Sequence, residues 1–291
     1  MWDWWAKLWG LTPDAPPVVV PVDARNDVHA VLLGLTKYRF LTPDLPGPVE
    51  DARDMYDLLT RTYNVNPRNI VMLLDKDATW SNKYDAINRM IPKLGPGMHG
   101  VVYQAGHGTQ APNTDGTEAD GMDELCCMYD FDWYNLLSWW MDGEYARLFK
   151  PLHPQAYLTA IHDTCHSGTM TRNPGPSLTR FVAPPVDVAI DWPTRDLPVR
   201  HLGVREDGEP QRHVSAGACR DDETAKGFYS PKYPNVRGVF TWSLTDALRR
   251  EPLASWERIF DKLTPFCMSK GQRPVLGGMP SLTARAPFQR D

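Results

Sequence analysis

Two polar clusters stand directly after apolar runs in this sequence. One is Ala105-Gly106-His107-Gly108, and the other runs from His162 through Asp163, Thr164 and Cys165 to His166, Ser167 and Gly168. A thiol attacks a carbonyl as its thiolate, and a nearby imidazole assists. The same imidazole can protonate a leaving amine. Glycines on both sides of His107 let a substrate backbone come close. The His-Ser-Gly after Cys165 reads as a tight turn whose N–H groups could hold an oxyanion. If the two apolar runs are neighbouring strands, His107 and Cys165 share one rim, where open parallel sheets place their sites.

The elements that must hold these residues follow from periodicity. HAVLLGL (29–35) is a continuous apolar run, as in a strand buried on both faces. Further strands are expected at 69–75, 100–106, 156–163 and 212–218, and a weaker one at 273–278. Met55, Leu58, Leu59 and Tyr63 recur at helical spacing, and helices are also expected at 80–94, 238–250 and 254–266. Strands alternating with helices predict an α/β fold with right-handed crossovers and a mainly parallel sheet covered on both faces.

Composition bounds the rest. The chain has 291 residues, 42% of them hydrophobic and 23% charged, enough to bury a sizeable core. Its net charge of −5 argues against a nucleic-acid binder. Five cysteines without a CxxC pair argue against a disulfide framework and fit a reducing, cytoplasmic setting. No apolar run is long enough for a transmembrane helix, and MWDWWAKLWG does not read as a secretory signal. Residues 1–24 read as a Trp-rich extension and proline-rich linker, and 25–291 as the main domain. On a helix, Trp2, Trp5 and Trp9 fall on one side, so residues 2–9 either pack back on the domain or dock a partner. Leu94 to Ala146 holds no Lys or Arg and many carboxylates, and reads as an acidic loop beside a site. The proline-rich stretch 171–210 reads as a surface connection.

Several segments together resemble the metacaspases and their bacterial relatives, among the caspase-like cysteine peptidases. They are LLGLTKY (32–38), LPGPVEDARDMYDLL (45–59), the Gly-His-Gly segment with TDGTEADGMDE (114–124), HDTCHSG (162–168), SAGACRDDETA (215–225) and GVFTWSLTDAL (238–248). The resemblance covers roughly residues 28–276. It implies a caspase-like (caspase-hemoglobinase) fold with a six-stranded sheet, a large-subunit-like part over 25–170, a connection over 171–210 and a small-subunit-like part over 211–291. It also implies endopeptidase cleavage of protein or peptide substrates after Arg or Lys, through a covalent thioester. His107 and Cys165 match the catalytic dyad, the N–H groups of Gly108 and Cys165 match the oxyanion donors, and Asp51 and Asp163 match the acidic specificity pocket. Two carboxylates beside the nucleophile would favour a basic side chain through charge-assisted bonds. Read by themselves, Asp163 could cap the following turn and Asp51 could sit in a helix first turn. Ala105 stands where the family usually has a pocket serine, which removes one polar wall.

The chemistry requires no cofactor, but the resemblance raises calcium as a candidate activator, with Asp123, Asp142 and Glu144 at ligand positions. Calcium takes six to eight oxygen ligands. Arg172 stands where a further carboxylate is expected, and a cation there would repel the metal or replace it. The arginines at 172, 180, 195, 200 and 205 are all candidate self-cleavage sites, and the sequence does not choose among them. A cysteine phosphatase loop fails because Thr171, not Arg172, holds the required place. A zinc site at His162, Cys165 and His166 lacks a fourth ligand, and Ser167 lacks the GxSxG context of a hydrolase serine. The alternative function is a silent or latent caspase-like scaffold used for protein interaction.

Overall fold

Strand β1 (Val28–Gly34) alternates its side chains between two apolar cores. Val31 and Leu33 enter one, and Val28, Ala30 and Leu32 the other. Both faces of the sheet are therefore buried, as the continuous apolar run predicts. The computed structural model describes residues 21–41, 44–113, 122–141, 143–165, 178–191, 213–220, 223–229 and 235–289. The Trp-rich residues 2–9, Asp142, His166, Ser167 and Arg172 lie outside them.

The main sheet adds β2 (Ile70–Leu74), β3 (His99–Ala105), β7 (Tyr157–Asp163), β8 (Val214–Gly217) and β11 (Val275–Gly277), in the order β11-β8-β7-β3-β1-β2. All neighbours are parallel except β11, which runs antiparallel to β8. The six strands are those the sequence predicts, including the weak one.

Helices α1 (Pro48–Asp57), α5 (Val239–Arg250) and α6 (Trp256–Ser269) line one face. Pro48 suits the first turn of α1, where its missing N–H costs nothing. Ser255 caps α6 by accepting the Arg258 N–H. The other face carries α2 (Trp80–Met90), α3 (Gly143–Phe149) and a small antiparallel sheet of β4 (Gly108–Pro112), β5 (Met122–Cys126) and β6 (Trp140–Met141). The short helix α4 (Val186–Asp191) belongs to the connecting stretch, and β9 (Gly227–Tyr229) pairs antiparallel with β10 (Val236–Gly238).

Within the acidic stretch, two of the described carboxylates hold backbone, while Asp115, Glu118, Asp120 and Asp142 lie outside the described residues. Asp130 accepts the first N–H of α2 from Trp80 at 2.9 Å, and Asp132 accepts the Tyr134 N–H at 2.9 Å. Trp133, Trp139 and Trp140 are buried in the aromatic core. Among the described residues, no helix is long and apolar enough to cross a membrane.

Candidate active site

Register brings the two polar clusters together. β3 and β7 are adjacent and parallel, and Ala105 pairs with Asp163. His107 and Cys165 each follow two residues beyond that pair, so they leave the carboxyl ends of neighbouring strands at the same height. Both are buried. The Tyr38 hydroxyl accepts the His107 N–H at 2.6 Å and donates to the Leu35 carbonyl at 3.2 Å. A Cβ on Gly106 would lie 2.8 Å from that hydroxyl, so glycine before His107 gives Tyr38 its place. The loop carrying Tyr38 is itself tied to the sheet by Asp75, which accepts the Thr36 and Lys37 N–H groups at 2.8 and 2.9 Å.

The Cys165 thiol donates to the Glu223 carbonyl at 3.3 Å, and the Cys219 thiol donates to the same oxygen at 3.3 Å. Hydrogen bonding to Cys165 and burial push the Cys219 thiol well above the usual range. The 223–227 segment is held by Gln272, which accepts the Lys226 N–H and donates to the Ala218 carbonyl, each at 3.0 Å.

Beside the thiol, Asp51 from the first turn of α1 and Asp163 from the end of β7 face each other, both fully buried. The start of α5 holds both. Gly238 donates its N–H to both Asp51 carboxylate oxygens at 3.0 Å, and Thr241 donates its N–H at 3.1 Å and its hydroxyl at 2.6 Å to Asp163 Oδ2. Burial pushes the Asp51 carboxyl up to about 6, against the opposing pull of a neighbouring guanidinium.

That guanidinium is Arg180, from the connecting stretch, 1% exposed. Its Nη2 lies 2.5 Å from Asp51 Oδ2, its Nε is 3.4 Å from Asp163 Oδ1, and its Nη1 donates to the Asp163 carbonyl at 2.7 Å. Burial works against its charge, but Asp163 and Asp51 outweigh that and hold its pKa above the ordinary value. A Cβ on Gly238 would collide with both carboxylates and with the guanidinium.

Five expected residues thus meet at one strand-end rim: His107, Gly108, Cys165, Asp51 and Asp163. Ala105 lies there too, buried in the same core as Cys165. His162 does not: its ring turns to the opposite face, edge-on to Tyr145 at 5.0 Å. Asp123 accepts from Asn113 at 2.7 Å, and Glu144 pairs with Arg147 at 2.5 Å. No group of three His, Cys, Asp or Glu side chains able to hold a metal gathers among the described residues. The described part of the expected calcium set does not by itself make a cage. Sequence reasoning passed over Tyr38, Gly238 and Thr241 and did not single out Arg180. Tyr38 and Gly238 lay inside motifs already recognised, whereas Arg180 carried no local signal.

Comparison with known proteins bears on the family and the fold. The pattern for "Metacaspase, peptidase C14 domain" matches residues 29–174, half of the chain. Metacaspase-1 of Arabidopsis thaliana is 28% identical over 243 residues, covering 81% of this chain and 63% of its own length. Metacaspase-1 of Kluyveromyces lactis is 32% identical over 147 residues, 48% of this chain and 33% of its own. The chain therefore spans less than two thirds of these relatives. A crystal structure of a Geobacter sulfurreducens protein matches with a TM-score of 0.68 at 21% identity, covering 90% of this chain and 98% of that one. That likeness supports the fold.

Proposed function

The chain belongs to the metacaspase family, and from that premise we propose that it is a cysteine endopeptidase cutting protein or peptide chains after Arg or Lys. The observation that carries the specificity is Arg180, whose guanidinium lies between Asp51 and Asp163 beside Cys165. A lysine ammonium would meet the same two carboxylates, with fewer donors.

In the proposed reaction, His107 takes the Cys165 proton and the thiolate attacks the carbonyl carbon after the basic residue. The carbonyl oxygen becomes an oxyanion, held by the Gly108 and Cys165 N–H groups. The C–N bond breaks, the amine leaves with the proton from His107, and a thioester remains. Water hydrolyses the thioester, releasing a carboxylate and restoring the thiol. Every step uses groups of this chain. Calcium enters the proposal only as an activator, through the segment that contains Asp142.

The test is hydrolysis of fluorogenic peptides ending in Arg, Lys or Asp, with and without millimolar calcium, beside Cys165→Ala. Cleavage after Arg and Lys that vanishes in the variant is expected. Cleavage after Asp would sink the pocket assignment. Silence in every lane, including a chain freed of Arg180, would leave the interaction scaffold.

A further inference from the structure

His107 lies between β3, which ends at Ala105, and β4, which begins at Gly108, and its backbone is held from two sides. Its N–H donates to the Tyr38 hydroxyl at 2.6 Å, and its carbonyl accepts the Cys127 N–H at 3.0 Å. A peptide unit is planar, so fixing the His107 carbonyl also fixes the direction of the Gly108 N–H. That N–H meets the carbonyl of Arg180, the residue in the acidic pocket, at 2.8 Å. The Tyr38 ring lies against the imidazole as well, with ring centres 5.2 Å apart and planes tilted by 37°. One buried side chain therefore touches both the backbone and the ring of the base in the proposed reaction.

Tyr38 is itself pinned on both sides. Burial pushes its phenol well above the ordinary range, so it stays protonated and donates to the Leu35 carbonyl. Before it in the chain, the Thr36 and Lys37 N–H groups both end on Asp75 Oδ1. After it, the Arg39 N–H donates to the Tyr129 carbonyl at 2.9 Å. Asp75 holds its two donors from left-handed backbone, with φ at 45°, a region that Asp tolerates better than most residues. A tyrosine that only filled the core would need a partner for its hydroxyl. It would not need its turn fixed by a residue held in a sparsely populated conformation.

We infer that Tyr38 is a positioning residue of the peptidase site, its hydroxyl setting the place of His107, its ring favouring the imidazolium, and Asp75 anchoring its turn. The inference rests on the proposed function and adds a residue to that same site. When His107 takes the Cys165 proton it becomes a cation, and a cation within about 6 Å of an aromatic ring centre is attracted to that ring. The hydroxyl acts before that step, by keeping the peptide that carries His107 from turning.

The test is hydrolysis of a Leu-Thr-Arg coumarin peptide over pH 5 to 10 with millimolar calcium. Active sites are counted by titration with the matching chloromethyl ketone. Tyr38→Phe keeps the ring and should lose about 10-fold in kcat per titrated site, with KM and the alkaline limb of the pH profile unchanged. Tyr38→Leu loses both parts. Its kcat should fall about 100-fold, and the alkaline limb, which reports the imidazolium, should move down by about half a pH unit. Asp75→Ala should lower kcat in the wild-type chain and add little to Tyr38→Leu, because it acts only through Tyr38. Full kcat per titrated site in Tyr38→Phe would overturn the part given to the hydroxyl. An unmoved alkaline limb in Tyr38→Leu would overturn the part given to the ring, and additive losses would overturn the link from Asp75. Losses that show only as fewer titratable sites would make Tyr38 a packing residue and overturn the whole, sparing the proposed function. If neither wild type nor Arg180→Gln hydrolyses the peptide, the inference falls together with the function it rests on.

Discussion

Two cations are buried on opposite faces of the main sheet, and they are treated differently. Arg180 sits between two carboxylates, which hold it charged. Lys83, on α2, is fully buried with Nζ 2.5 Å from the neutral Gln104 Oε1 and 3.8 Å from the centre of the Trp140 ring. Burial lowers its pKa to about 7, and Cys126 and Glu144 oppose that only in part. Desolvation is common to both sites, so the difference lies in the counterions. One face is built to bind a full positive charge. The other tolerates a lysine through an amide and an aromatic ring.

That contrast can be broken most forcefully at the pocket. Asp163→Asn removes a carboxylate from a buried charge pair, a loss of about 2–4 kcal/mol, or roughly 30- to 1000-fold in kcat/KM for Arg peptides. Steady-state kinetics on the variant check this, and a loss confined to kcat would point away from binding. Gly238→Ala should approach the same size, since its Cβ would occupy guanidinium space. It should raise KM for Arg peptides and leave the thiol reactive toward a small alkylating agent.

A smaller effect follows from Asp51. With its pKa raised to about 6, the carboxyl gains a proton as pH falls through that value. Binding of an Arg peptide needs Arg180 out of the pocket, which removes a cation that lowers this pKa, so KM for Arg peptides should rise as pH falls toward 6 and below, and a KM–pH profile reads this directly. The stability sign runs the opposite way. The folded chain holds more protons at Asp51 than the unfolded chain between the usual Asp range and about 6, so this group lowers stability as pH rises through that window.

Lys83 should give the smallest effect on activity and a distinct one on stability. Its folded pKa lies below the unfolded value, so the unfolded chain binds more protons above about pH 7 and stability rises with pH there. Lys83→Met should flatten that rise, by at most ~1.4 kcal/mol per pH unit for one proton. Denaturant unfolding between pH 7 and 9, compared with wild type, tests it. A loss of Arg preference in this variant would erase the distinction between the two faces.

Much of this was legible in the sequence because it was local. Periodicity located all six strands of the sheet, and the Gly-His-Gly and His-Asp-Thr-Cys clusters announced themselves at the carboxyl ends of β3 and β7. The pocket carboxylates needed a resemblance, since Asp51 in a helix first turn has an ordinary capping explanation. Within the acidic stretch, Asp130 and Asp132 serve as backbone caps, a role set by where the chain folds back and so not visible in the local sequence. Arg180 was beyond local reading altogether. Its partners come from α1, β4, β7 and the 225–227 strand, and nothing in PSLTRFVAP distinguishes it from the neighbouring arginines.

In the proposed function, the pocket between Asp51 and Asp163 selects a positive charge beside Cys165. The most direct test pairs two peptides, Leu-Thr-Arg and the same sequence with citrulline, which keeps the shape of arginine and removes its charge. Their kcat/KM values would be measured with the wild-type chain and with Arg180→Gln. A preference for Arg of about 100-fold or more is predicted, the size expected for a buried, hydrogen-bonded charge pair. Equal cleavage of the two peptides would contradict the account.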